Sequence, residues 1–287
     1  MIDVEVEIGR LNRLKIVKEL SFGDYLDGGS YGEILLPKKY VPTRAKIDDI
    51  VEVFVYFDSN DCIIATTEKP YAMVGEFACL AVVAVNSVGA FLDWGLMKDL
   101  FVPYREQKEK LRENITYPVY VYYDQKSKRI AATTRIARFL DNEPAKYEVT
   151  EEVDLLICAK EEIGYKAIIN NAHRGILYEN EVFQTLKLGQ HVKGFIKKIR
   201  SDGKIDLCLE KPGYEKIGGL AEIIFAQLQK QGGFISLNEK SSPDLIYKAF
   251  KVSKKTYKKA IGALYKQRLI TIDDKGIHLT IKAKFQK

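Results

Sequence analysis

Three stretches of the chain follow one pattern, so any fold for it must be assembled from a repeated unit. The first contains FGDYLDGGSYGEILLPKKYVP and later VEVFVYFDSNDCIIATTEKP; the second contains VGAFLDWGLMKDLFVPYREQ and later YPVYVYYDQKSKRIAATTR. The third runs IGYKAIINNAHRGILYENEVF and then GQHVKGFIKKIRSDGKIDLCLEKPG. Superposing Gly23, Gly89 and Gly164 spaces the copies 66 and then 75 residues apart. That is too long for a stacked solenoid unit and suits a small independent domain, so the copies are read as tandem domains.

Within each copy, runs of Val, Ile, Tyr and Phe are separated by turn sequences such as DGG, SND, KSK and SDGK, the mark of antiparallel strands. Each copy offers about five strands: an opening strand such as RLNRLKIVKEL, a glycine-led second, a third ending ILLP, LFVP or GILY, a less regular connection and a closing hairpin. Five strands closing on themselves predict an OB-fold barrel, which buries its edges. In the second copy the connection lengthens to YREQKEKLREN, whose charge density predicts an exposed helix.

After KPGYEKIGG the pattern changes to a helical spacing, with Leu220, Ile223, Ile224 and Leu228 on one side of LAEIIFAQLQKQ. A short strand FISLN follows, then a helix from about Pro243 through Phe250, then Ser253 as N-cap of KKTYKKAIGALYKQR. Tyr257, Ile261 and Leu264 line one side of that last helix, and Lys254, Lys255, Lys258 and Lys259 the other. LITIDDKGIHLTI closes the chain as two strands around a DDKG turn. Three helices and a two-stranded wing make a winged helix. The expected fold is therefore mainly β with a small α+β domain: barrels over 1–70, 71–145 and 146–214, then a winged helix over 218–287.

The barrels resemble the S1 branch of the OB-fold, whose second strand reads aromatic-Gly-x-aromatic. Copy one keeps Phe22-Gly23-Asp24-Tyr25, and copy two keeps Phe91 with Val88 at the other aromatic position. Copy three has Ile163 and Lys166 at those positions with Tyr165 adjacent. Pro37, Pro103 and Tyr178 stand where the family carries His. Three such units and a terminal winged helix, with the closing segment SKKTYKKAIGALYKQRLI, resemble the conserved virulence factor B family of bacterial RNA-binding proteins. The resemblance implies RNA binding without catalysis, an influence on gene expression, and a terminal domain that adds RNA affinity through Lys254, Lys255, Lys258 and Lys259.

Single-stranded RNA offers splayed bases and a continuous negative backbone, so a binder needs aromatic faces with cations beside them. The barrel candidates are Phe22, Tyr25, Phe91, Trp94, Tyr165 and Tyr178, with Lys166 beside them and Arg129 and Lys204 entering the last hairpin. Trp94 has a competing reading, a loop packed against the neighbouring barrel. Residues 218–287 hold 14 basic and 5 acidic side chains, whereas residues 1–70 hold 9 and 13, so the net charge of +6 comes from the terminal domain. A cationic helix of this kind suits phosphate.

Cys62, Cys79, Cys158 and Cys208 form no C-x-x-C pair and read as buried, reduced thiols; His173, His191 and His278 are scattered. No P-loop, G-x-G-x-x-G, G-x-S-x-G or H-E-x-x-H string occurs, so neither catalytic residue, metal nor cofactor is expected. The opening MIDVEVEIGR lacks the basic start and apolar core of a signal peptide, which predicts a cytoplasmic protein with no membrane partner, and a monomer is expected. RNA, expected to be single-stranded, is the favoured partner. A winged-helix DNA-binding transcription factor, or a scaffold docking on the ribosome or other proteins, remain the alternatives.

Overall fold

The computed structural model describes residues 5–182, 184–210, 217–250 and 252–280. The first copy forms β1 (Leu11–Leu20), β2 (Gly23–Asp27), β3 (Glu33–Pro37), β4 (Ile50–Phe57) and β5 (Ile63–Thr66), closed into a barrel in the order β1-β2-β3-β5-β4. The second forms β6 (Phe77–Val85), β7 (Gly89–Leu92), β8 (Leu100–Pro103), β9 (Thr116–Asp124) and β10 (Arg129–Thr133). The third forms β11 (Glu152–Glu161), β12 (Gly164–Ile169), β13 (His173–Tyr178), β14 (His191–Ile199) and β15 (Ile205–Cys208), again closed. The second barrel keeps the strand order but its sheet ends at β8 and β10. There the Thr133 hydroxyl and the Thr134 amide bond the Glu106 carbonyl at 3.0 and 3.1 Å, drawing the seam together without a ladder.

Alternation builds each opening strand. In β1, Leu14 and Ile16 are buried while Arg13 and Lys15 face out. Every opening strand then breaks register at one residue: Val17 in β1, Val83 in β6 and Cys158 in β11. The bulge bends the strand, so that its first half pairs with the fourth strand of the barrel and its second half with the second. The aligned glycines have a steric reason. A Cβ on Gly23, Gly89 or Gly164 would lie 2.5, 2.4 or 2.0 Å from the carbonyl oxygen of Leu36, Val102 or Leu177.

The connection YREQKEKLREN is not a helix. A single 3-10 turn (Tyr104–Glu106) leads into irregular chain, because Gln107 is buried and clamps the loop. Its Nε2 donates to the Val102 carbonyl at 3.1 Å and its Oε1 accepts from the Leu111 amide at 3.1 Å, while Leu111 enters the barrel core.

The barrels are not beads on a string. Phe54 and Tyr56 of β4 belong to the same buried cluster as the core of the second barrel. Trp94 stands edge-on to Phe54, centroids 5.5 Å apart, and donates Nε1–H to the Ala72 carbonyl at 2.6 Å. Arg10 with Glu76, and Lys98 and Arg129 with Asp61, rim this contact. Between the second and third barrels, Asn171 accepts from the Phe77 amide at 2.9 Å and donates to the Gly75 carbonyl at 2.7 Å. Asn171 sits at φ 57°, a conformation Asn tolerates. Phe77, Leu140, Leu156, Cys158 and Ile168 pack beside it.

The boundary residues 211–216 lie outside the described residues. Beyond them come α1 (Ile217–Lys230), β16 (Phe234–Ile235), α2 (Pro243–Phe250), α3 (Lys254–Lys266), β17 (Ile270–Ile272) and β18 (Ile277–Leu279), with sheet order β16-β18-β17. The expected cap is present: the Ser253 hydroxyl accepts from the Thr256 amide at 3.1 Å. Leu220, Ile224 and Leu228 pack on Tyr257, Ile261 and Leu264. Ile223, expected in that stripe, is exposed instead, because Ala221 occupies the inward position. Among the described residues no helix is long and apolar enough to cross a membrane.

Trp94→Ala is expected to lower unfolding stability by about 3–5 kcal/mol, the range for deleting a buried aromatic. If the first two barrels share one core, Trp94→Ala and Phe54→Ala will be non-additive by roughly 0.5 kcal/mol or more in urea unfolding; simple additivity would show two separate cores.

Candidate nucleic-acid interface

The residues around each glycine repeat one pattern of exposure. The residue before it, Phe22, Val88 or Ile163, is 56%, 56% or 58% exposed, so the same outward apolar position recurs in all three barrels. Two residues after the glycine, Tyr25, Phe91 and Lys166 also face out, register-paired with Leu35, Phe101 and Ile176 on the third strand. The residue between points inward: Asp24, Ala90 and Tyr165 are buried.

In the first barrel this face is aromatic with a cation beside it. Phe22 and Tyr25 meet edge to face at 6.3 Å, and the Lys18 ammonium lies 5.6 Å from the Tyr25 ring centre. Beneath them Asp24 is buried with no hydrogen-bond donor among the described residues, and the Lys38 ammonium stands 3.8 Å away. In the second barrel Phe91 packs on Phe101 at 5.2 Å, and a hollow of about 510 Å³ lined by Tyr104, Gln107, Lys108, Glu109 and Lys110 lies in the loop after β8. Lys18 and Phe101 were missed from sequence, although strand alternation opposite Tyr25 and Phe91 carries the signal for both.

Two expected stacking residues do not present their rings. Trp94 is 3% exposed and spends its face on the contact between the first two barrels, the competing reading of that residue. Tyr165 is 5% exposed in the third-barrel core, because it holds the inward position after Gly164.

The third barrel also pairs many of its cations with its own carboxylates. Lys166 pairs with Glu161, Lys204 with Asp202, Lys193 with Asp154 and Lys197 with Glu181. Arg200 binds Asp206 at 2.9 Å and donates to the Tyr178 hydroxyl, while that hydroxyl donates to Asp206 at 3.3 Å, so Tyr178 is held in a closed network. Arg129 is likewise bound to Asp61 across the barrel boundary. In the winged helix, Lys254 donates to the Lys240 carbonyl at 3.3 Å and Lys258 stands 4.0 Å from Glu239, while Lys255 and Lys259 are exposed.

Comparison with known proteins agrees with this architecture. Residues 222–279 match the CvfB-like winged helix domain, and residues 8–68 and 74–135 each match the S1 domain. Conserved virulence factor B of Staphylococcus epidermidis is 27% identical over 290 residues, covering 96% of this chain and 95% of its own. The chain belongs to the conserved virulence factor B family. Its domain composition is that of a nucleic-acid-binding protein. The YitL protein of Bacillus subtilis is similar at 26% identity over 271 residues, 92% of this chain and 91% of its own. A crystal structure of a multidomain protein with nucleic acid binding domains from Streptococcus pneumoniae is 24% identical, covering 95% of this chain and 98% of that one, with a TM-score of 0.43.

The thiols follow their surroundings. Burial pushes Cys79 up to about 12 and Cys158 and Cys208 up to about 11, leaving all three protonated and weakly nucleophilic. Cys62, expected buried, is instead exposed in the turn between β4 and β5. Among the described residues no group of three or more His, Cys, Asp or Glu is placed to hold a metal. Brief treatment of the native protein with iodoacetamide at pH 8 should therefore modify Cys62 alone, with the other three reacting only in urea. Comparable native labelling of a second thiol, read by peptide mass spectrometry, would contradict this assignment.

Proposed function

We propose that this protein is a non-catalytic, cytoplasmic RNA-binding protein that holds single-stranded or weakly structured RNA and acts as a post-transcriptional regulator of gene expression. Its working modules are the barrels at 1–70, 71–145 and 146–214 and the winged helix at 218–287, in a monomer needing no cofactor. The observation that carries the reading is the outward face of the first barrel, where exposed Phe22 stands beside Tyr25 and Lys18. Two rings and an ammonium in that arrangement suit stacked bases and an adjacent phosphate. Phe91 and Phe101 repeat the apolar half of it on the second barrel.

A second reading applies to the third barrel alone. Its face is apolar at Ile163, but Lys160, Lys166, Lys193, Lys197, Lys204 and Arg200 pair with carboxylates, which favours a spacer or protein-docking role there over phosphate binding. A DNA-binding transcription factor would need residues 218–287 to carry most of the affinity, leaving the first-barrel face without a use.

The test is fluorescence anisotropy with labelled oligouridine and a labelled mixed-sequence DNA duplex at two salt concentrations. Phe22→Ala and Tyr25→Ala should each weaken oligouridine binding by about 1–3 kcal/mol, the range for a base stacked on an aromatic. Both residues are on the surface, so circular dichroism should be unchanged. Duplex preference, or wild-type RNA affinity in both variants, would sink the proposal.

A further inference from the structure

The exposed side of α3 carries a regular row: Lys255, Lys259, Gly262 and Lys266 follow one another at four, three and four residues, one stripe of an α-helix. The opposite stripe, Tyr257, Ala260, Ile261 and Leu264, is buried in the domain core. Glycine is the odd member of the row. In a helix interior it is less favourable than alanine by about 1 kcal/mol, and such a glycine ordinarily answers to a tight packing contact. Among the described residues none exists, since a Cβ built on Gly262 would meet nothing within 4 Å. The fold does not require the glycine, yet it opens a notch in the middle of a cationic stripe.

The surroundings point to what fills it. Lys255 and Lys266 have no carboxylate partner among the described residues, unlike Lys258, which approaches Glu239, and Lys240, which pairs with Asp274 at the wing. At the wing turn Asp273 and Asp274 offset Lys240 and Lys275, so the wing offers no comparable excess of positive charge. The helix is also firmly held. The Tyr257 hydroxyl donates to the Leu237 carbonyl at 3.1 Å from a fully buried ring, and Ser253 caps the first turn.

We infer that Gly262 is a close-approach site at which the sugar–phosphate backbone of a nucleic-acid strand packs directly on α3, with Lys255 and Lys266 gripping phosphates to either side. The inference rests on reading this domain as nucleic-acid-binding and adds the residue that sets how near the strand can come. A side chain at 262 would hold the backbone off and lengthen the lysine contacts.

Stability and affinity should then move in opposite directions. In the full-length protein, Gly262→Ala is expected to raise the unfolding midpoint of the winged helix by about 4 °C, because alanine favours the helix. It should nonetheless weaken RNA binding by roughly threefold, and Gly262→Gln by roughly tenfold, as phosphate contacts are lost. Binding is measured on an unpaired oligouridine and on an RNA hairpin, with Lys255→Ala/Lys266→Ala as the companion variant. Loss on either RNA supports the notch and tells whether the strand comes from an unpaired segment or a stem. If the lysine variant weakens binding but both Gly262 variants bind like wild type, the notch is overturned. Wild-type binding by the lysine variant as well would overturn the nucleic-acid reading of the domain itself.

Discussion

At Gly23, Gly89 and Gly164 the second strand of each barrel runs so close to a carbonyl of the third that no side chain fits between them. This contact organises the rest of the unit. It fixes the register of the second and third strands, pairing Gly23 with Pro37, Gly89 with Pro103 and Gly164 with Tyr178. Because side chains alternate along the strand from that fixed point, it also decides that the residue after the glycine is enclosed and the next one displayed, while the residue before the glycine lies in the turn outside the strand and is exposed there. In the first and third barrels that preceding residue is further held by its carbonyl, which accepts from the amide just past the third strand, Lys38 on Phe22 and Glu179 on Ile163. One steric demand therefore sets the register of the second and third strands in every copy.

The same constraint accounts for what sequence revealed and what it hid. The glycine is visible in the repeat, and with it the strand order, the barrels and, through helical spacing and the Ser253 cap, the winged helix. Phe22 and Tyr25 lie at the displayed positions and were legible. Tyr165 was not, because its displacement by one residue from Tyr25 reverses its direction, and aromatic content alone carries no sense of inside and outside. Trp94 allowed two readings from sequence, and the contact with Phe54 and the Ala72 carbonyl, which no single copy encodes, decides for the packed one. The segment YREQKEKLREN misled because charge density ignores two inward anchors, Gln107 and Leu111.

Packing between copies changes what the array can do. Weak modules on loose linkers gain affinity only as far as their linkers keep the second site near the first. Here the first and second barrels are joined through a common buried cluster, and the second and third through Asn171 and the apolar group around Phe77. The relative placement of the faces is then set by the fold, and less conformational freedom is lost when a strand engages two of them.

Charge divides the labour along the chain. The first barrel offers aromatic surface in an acidic context, the third ties many of its cations to its own carboxylates, and the excess of basic residues lies in the terminal domain. Phosphate attraction is long-ranged and indifferent to base, whereas stacking is short-ranged and needs an unpaired base. For the proposed RNA-binding role, separating the two on different modules would let the cationic domain capture a polyanion while barrels without excess positive charge take up segments whose bases are free. A uniformly basic array would bind every nucleic acid alike, so in the proposed role it is the absence of excess positive charge on the barrels that would make a preference for unpaired strands physically accessible.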